Sequence, residues 1–101
     1  MLRIIKVSGI SLEPKYREGD FVLAAGIPFL LQQLRPGDAV VLRHPYFGTL
    51  IKLVETLTAD GRSLRIVGLH PESVDSREFG PVPAEWLLGK VIWHWKKPLA
   101  R

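Results

Sequence analysis

The chain has 101 residues and no cysteine, with 47% apolar and 24% charged side chains; this suits a single domain over 1–101 and excludes disulfide staples, thiolate metal sites and cysteine nucleophiles. Net charge is +4, but the stretches 1–20, 21–50, 51–70 and 71–101 each hold one excess cation, so no basic block exists and no nucleic-acid partner is expected. The longest nearly apolar run, Phe21–Leu31, is broken by Gly26 and Pro28 and falls well short of the ~20 residues that span a bilayer. Met1 to Ser8 lack the basic-then-apolar layout of a secretion leader, and the expected compartment is the cytoplasm.

In chain order, Leu2–Val7, Phe21–Ala25, Ala39–Arg43, Thr49–Leu57, Ser63–Val67 and Lys90–Trp95 read as strands. Between them Glu18-Gly19-Asp20, Arg35-Pro36-Gly37-Asp38, His44-Pro45, Ala59-Asp60-Gly61-Arg62 and Phe79-Gly80-Pro81 carry turn residues. Asp60-Gly61 is a hairpin signal. Helix is expected only as a turn or two at Pro28–Gln33 and Pro83–Leu88. The expectation is an all-β, mostly antiparallel domain, closed or folded over to protect its edges.

Two strands reward a face-by-face reading. In Lys90–Lys96, strict alternation puts Val91, Trp93 and Trp95 on one face, expected to be core, and leaves His94 at the surface. In Leu50–Thr56, Lys52 shares a face with Leu50 and Val54, and an ammonium there costs several kcal/mol unless paired or deprotonated. Either Lys52 snorkels to water along its stem, or it is a desolvated amine able to accept a proton near neutral pH. A nucleophile for such a base is Ser11, just past the first strand in a turn shaped by Gly9 and Pro14. Gly9 would let a substrate backbone approach closely.

Five blocks then fall in order: Gly9-Ile10-Ser11-Leu12-Glu13-Pro14, Arg17–Val22, Arg35–Val41, Gly48–Val54, and Ser73-Val74-Asp75-Ser76-Arg77-Glu78-Phe79-Gly80-Pro81-Val82. Together they resemble the type I signal peptidase superfamily of Ser-Lys proteases, over roughly residues 4–95. The last block also separates that branch from the self-cleaving repressors, which share the dyad. The resemblance implies the superfamily's complex β fold in a minimal catalytic core, with Ser11 as nucleophile and Lys52 as general base. The Ser11 N–H would serve the oxyanion hole, with Gly9 where some members carry a second hydroxyl donor and Leu12 as a wall of the substrate pocket. Ser73 would orient the lysine amine, and Asp75 and Arg77 would form a supporting ion pair. No cofactor and no metal are implied, and His44, His70 and His94 match no family role.

The sequence departs from the family at Leu12, where Met is usual, at Lys15-Tyr16, at Leu53, and at Gly68-Leu69-His70-Pro71, which leaves the last block one residue short. No large insert separates Lys52 from Ser73. In Phe79-Gly80-Pro81-Val82 and the closing Gly89-Lys90-Val91-Ile92-Trp93 the chain resembles the small nickel-type superoxide dismutase maturation proteases, which remove a short leader from the dismutase precursor. The expected activity is thus a serine endopeptidase that takes a precursor protein as an extended strand and removes its leader. Three alternatives stand beside it. A general signal peptidase would work at the membrane surface with Gly26–Leu31 dipping into lipid. A self-cleaving regulator would need a scissile bond such as Ala25-Gly26. A binding module on the same scaffold would be inert at Ser11.

Overall fold

A computed structural model describes residues 2–9, 12–26 and 34–97. It is mainly β, as expected. Seven strands, β1 (Leu2–Lys6), β2 (Phe21–Ala25), β3 (Ala39–His44), β4 (Gly48–Leu57), β5 (Ser63–Val67), β6 (Val82–Pro83) and β7 (Leu87–Trp95), form one antiparallel sheet in the order β1-β2-β7-β3-β4-β5-β6. One helical turn, α1 (Ser76–Phe79), precedes β6, and a 3-10 turn at Ala84–Trp86 precedes β7. The six expected strands form within a residue or three of their predicted ends. Of the expected helical turns, Pro83–Leu88 shrinks to the 3-10 turn and then becomes strand, while Pro28–Gln33 lies outside the described residues.

Through its middle the sheet is buried on both faces, which explains the near-continuous apolar run of β3. One face carries Val22, Ala24, Ala39, Val41 and Leu53, covered by Val7, Leu12 and Tyr16. The other carries Val40, Leu42, Val54, Leu64, Ile66 and Val82, covered by Leu34 with Phe79 and Trp86. Pairs such as Ala39↔Leu53 and Val40↔Lys52 keep the two sets apart, because neighbouring residues on a strand point to opposite faces.

The expected core role of Trp93 and Trp95 is overturned: they are 60% and 44% exposed. The register between β2 and β7 explains it. Leu23 pairs with Trp93 and Ala24 with Val91, so Ile92 is an extra residue in a β-bulge. Val91 faces the core before the bulge; after it the alternation is inverted and His94, opposite the buried Val22, takes the inward side. His94 is therefore no surface residue. Its Nε2 lies 2.7 Å from Oδ2 of buried Asp20, and its ring packs 4.6 Å from that of Tyr16.

Candidate functional site

Lys52 sits mid-way along β4, only 3% exposed, among Leu50, Val54 and Val40 on its face of the sheet. Its amine does not reach solvent. Nζ donates to Ser73 Oγ at 2.8 Å, and Ser73 is itself buried. The Asp75 carboxylate lies near enough for its charge to act on the amine. Burial lowers the Lys52 pKa from the usual lysine value; the Asp75 charge works against that and the Arg77 charge with it.

The segment after β5 holds this group for a reason of backbone chemistry. β6 pairs with Ser63 and Leu64, and among the described residues the far half of the β5 edge has no strand partner. Side chains cap that edge instead. Ser76 Oγ accepts from Ile66 N–H at 2.8 Å, and Asp75 Oδ2 accepts from Gly68 N–H at 2.8 Å. Asp75 is also the N-cap of α1, taking Arg77 N–H at 3.0 Å, and is gripped by the Arg77 guanidinium at 3.0 and 2.8 Å. Burial alone would raise the Asp75 carboxyl; these donors outweigh it and hold it well below the usual carboxylate range. Continuing the register Leu53↔Val67 puts Gly68 opposite Lys52, which is how the cap delivers Ser73 to the amine.

Lys52, Ser73, Asp75 and Arg77 are thus brought together. Gly9 and Leu12 are not members of that hydrogen-bonded group. Gly9 has φ +83° and gives its N–H to Glu18 Oε1 at 3.2 Å. Leu12 is buried with Val7, Tyr16 and Leu53, on the sheet face opposite Lys52. Ser11 lies outside the described residues, as does all of Gly26–Leu31 except Gly26. Among the described residues no cluster of His, Asp and Glu has the makings of a metal site, and no helix is long and apolar enough to cross a membrane.

Sequence reasoning did not single out Ser76, Gly68 or α1. A signal was available: Asp75 followed three residues later by Glu78 has the layout of a capping box. The buried Asp20–His94 pair had none, since its partners are brought together only by the pairing of β7 with β2.

A buried amine tied to a buried serine hydroxyl can hold one orientation and, once neutral, accept a proton from a hydroxyl brought to it. No protein-family model matches the chain, and no curated protein or solved structure matches it.

Proposed function

We propose that the protein is a serine endopeptidase in which Lys52, held dry and oriented by Ser73, is the general base for Ser11, and that it trims a short leader from a precursor protein in the cytoplasm. One observation carries the reading: an amine buried in an apolar sheet and hydrogen-bonded to a buried serine. Stability alone gives little reason to keep such a group, because a well-packed apolar residue at a buried ionic site is often neutral or stabilising. A depressed amine pKa is what proton transfer from a serine near neutral pH requires. Ser11 enters from the sequence, through the Gly9/Pro14 turn and the order of the five blocks.

In the proposed mechanism neutral Lys52 takes the Ser11 hydroxyl proton as the oxygen attacks the scissile carbonyl. The resulting ammonium then protonates the departing amine, and water hydrolyses the acyl-enzyme by the same relay. Ser73 positions the amine throughout. The precursor is bound as an extended strand with a small residue before the scissile bond. Self-cleavage at Ala25-Gly26 is disfavoured, because Ala25 is paired on both sides, with Leu2 and Lys90.

The test is leader removal from candidate precursors, nickel-type dismutase precursors first. Ser11→Ala and Lys52→Ala should each lose cleavage by at least about a thousandfold while keeping the circular dichroism of the parent. Lys52→Arg should be inactive too, since guanidinium stays protonated. Cleavage that persists in Ser11→Ala assigns the nucleophile elsewhere and overturns the reading.

A further inference from the structure

α1 is a single turn, too short to be stable by itself, so the bonds that tie it to the edge of β5 set where it lies. Two of them come from the capping side chains, Ser76 Oγ taking Ile66 N–H and Asp75 Oδ2 taking Gly68 N–H. A third reaches over from the sheet. Arg65, in the middle of β5, donates from Nη2 to the Ser76 carbonyl at 3.2 Å. That carbonyl also accepts Gly80 N–H at 2.9 Å, the bond that closes the turn.

The other arm of the Arg65 fork shows how it is aimed. Nε donates to Glu55 Oε1 at 3.0 Å. Val54 pairs with Ile66 and Thr56 with Arg65, so Glu55 is the extra residue of a β-bulge, and two residues of β4 stand opposite one arginine. Glu55 acts on a second guanidinium as well: Asp75 first, and Glu55 with it, raise the Arg77 pKa. One carboxylate on β4 thus faces both the arginine that braces α1 and the arginine that grips Asp75. Stability gives little reason for the pair, because the Arg65 and Glu55 side chains are 35% and 45% exposed and such ion pairs contribute little. A rigid planar fork that serves a carboxylate and a backbone carbonyl at once is suited to fixing a position.

We propose that Arg65, aimed by Glu55, is a positioning residue for the Lys52 amine: it pins α1 to the edge of β5 and so keeps Ser73 on Nζ. The path is short. Ser76 follows Asp75 directly, Ser73 lies two residues before Asp75, and Ser73 Oγ accepts from Lys52 Nζ at 2.8 Å. Among the described residues, the charges that act on the amine are Asp75 and Arg77, both carried by this same segment. Loosening α1 therefore frees Ser73 and lets water reach an ammonium that burial disfavours. The catalytic meaning of this brace rests on the reading of Lys52 as general base, but the seat of the amine is measurable without any cleavage.

The experiment is a pH titration of the Lys52 Cε resonance by NMR in the full chain with isotope-labelled lysine, the signal being identified by its loss in Lys52→Met. In Arg65→Met the midpoint should rise toward the ordinary lysine range by about one pH unit, as water returns to the ammonium. Arg65→Lys can pair with Glu55 but cannot hold the Ser76 carbonyl at the same time, so its midpoint should rise nearly as far. Glu55→Gln leaves the guanidinium in place with a weaker aim and should raise the midpoint by less. A midpoint that stays at the parent's value in Arg65→Met, or falls, overturns the proposal. So does full rescue by Arg65→Lys, which would confine Arg65 to its ion pair with Glu55. If Arg65→Met fails to fold, Arg65→Lys and Glu55→Gln decide, and two unmoved midpoints overturn the proposal. Cleavage that persists in Ser11→Ala removes the protease reading and leaves the titration result standing, so the two can fail separately.

Discussion

Lys52 concentrates the conflict between folding and chemistry in a single side chain. Its amine is buried against Val40 and Val54, and the pKa is lowered first by desolvation, with Asp75 pulling the other way. Two measurements follow. Lys52→Met keeps the stem volume, and Asp75 keeps Gly68 N–H and Arg77 as partners. The variant is expected to gain about 1–2 kcal/mol in urea unfolding while losing all cleavage. Asp75→Asn removes the charge that favours the ammonium, so the Lys52 pKa falls further. Because the neutral amine is the active form, activity rises with pH through that pKa, and the rise should come at lower pH in Asp75→Asn than in the parent. A purely structural role for Asp75 would lower activity at every pH and leave the midpoint unmoved.

At the level of strands, alternation and turn chemistry made the sheet legible. Gly37 and Gly61 fall where the chain needs positive φ, at +94° and +70°, and the turns predicted there form. The apolar-flanked Lys52 was legible too, because an ammonium on an apolar strand face is a local anomaly that needs no tertiary knowledge. What failed was β7. Its Val91, Trp93, Trp95 alternation was read as unbroken, but the bulge that inverts it is a property of pairing with β2, where Leu23 and Ala24 face Trp93 and Val91. No residue in Lys90–Trp95 announces that. β6 and α1 were missed for a related reason. The 73–83 segment is shaped by the unfilled edge of β5 that it must cap, with Asp75 and Ser76 replacing strand partners.

Across the whole molecule, the last strand of the chain completes the middle of the sheet. β7 lies between β2 and β3, so the sheet joins up only when the C-terminal strand arrives. Asp20 fastens that arrangement. Its carboxylate accepts Lys97 N–H at 2.7 Å beyond the end of β7 and Arg17 N–H at 3.0 Å in its own turn, and Oδ2 meets His94 Nε2 at 2.7 Å. Burial would raise the Asp20 pKa, but these backbone donors and the His94 ring hold it down to about 2. A carboxyl lowered on folding contributes stability that is fully present above its unfolded pKa, near about 4, and is lost as pH falls through the folded value. The Tm should therefore decline from about pH 4 down to about pH 2 as Asp20 protonates, with Asp75 adding to the loss at the acid end. Asp20→Asn should lower stability at pH 7 by about 1–3 kcal/mol, since the charge-assisted bonds from Lys97, Arg17 and His94 are weakened or lost. Between pH 4 and pH 2 its Tm should fall less steeply than that of the parent. A variant as acid-sensitive as the parent would mean that Asp20 does not fasten β7 to the sheet and that the acid transition belongs to other carboxylates such as Asp75.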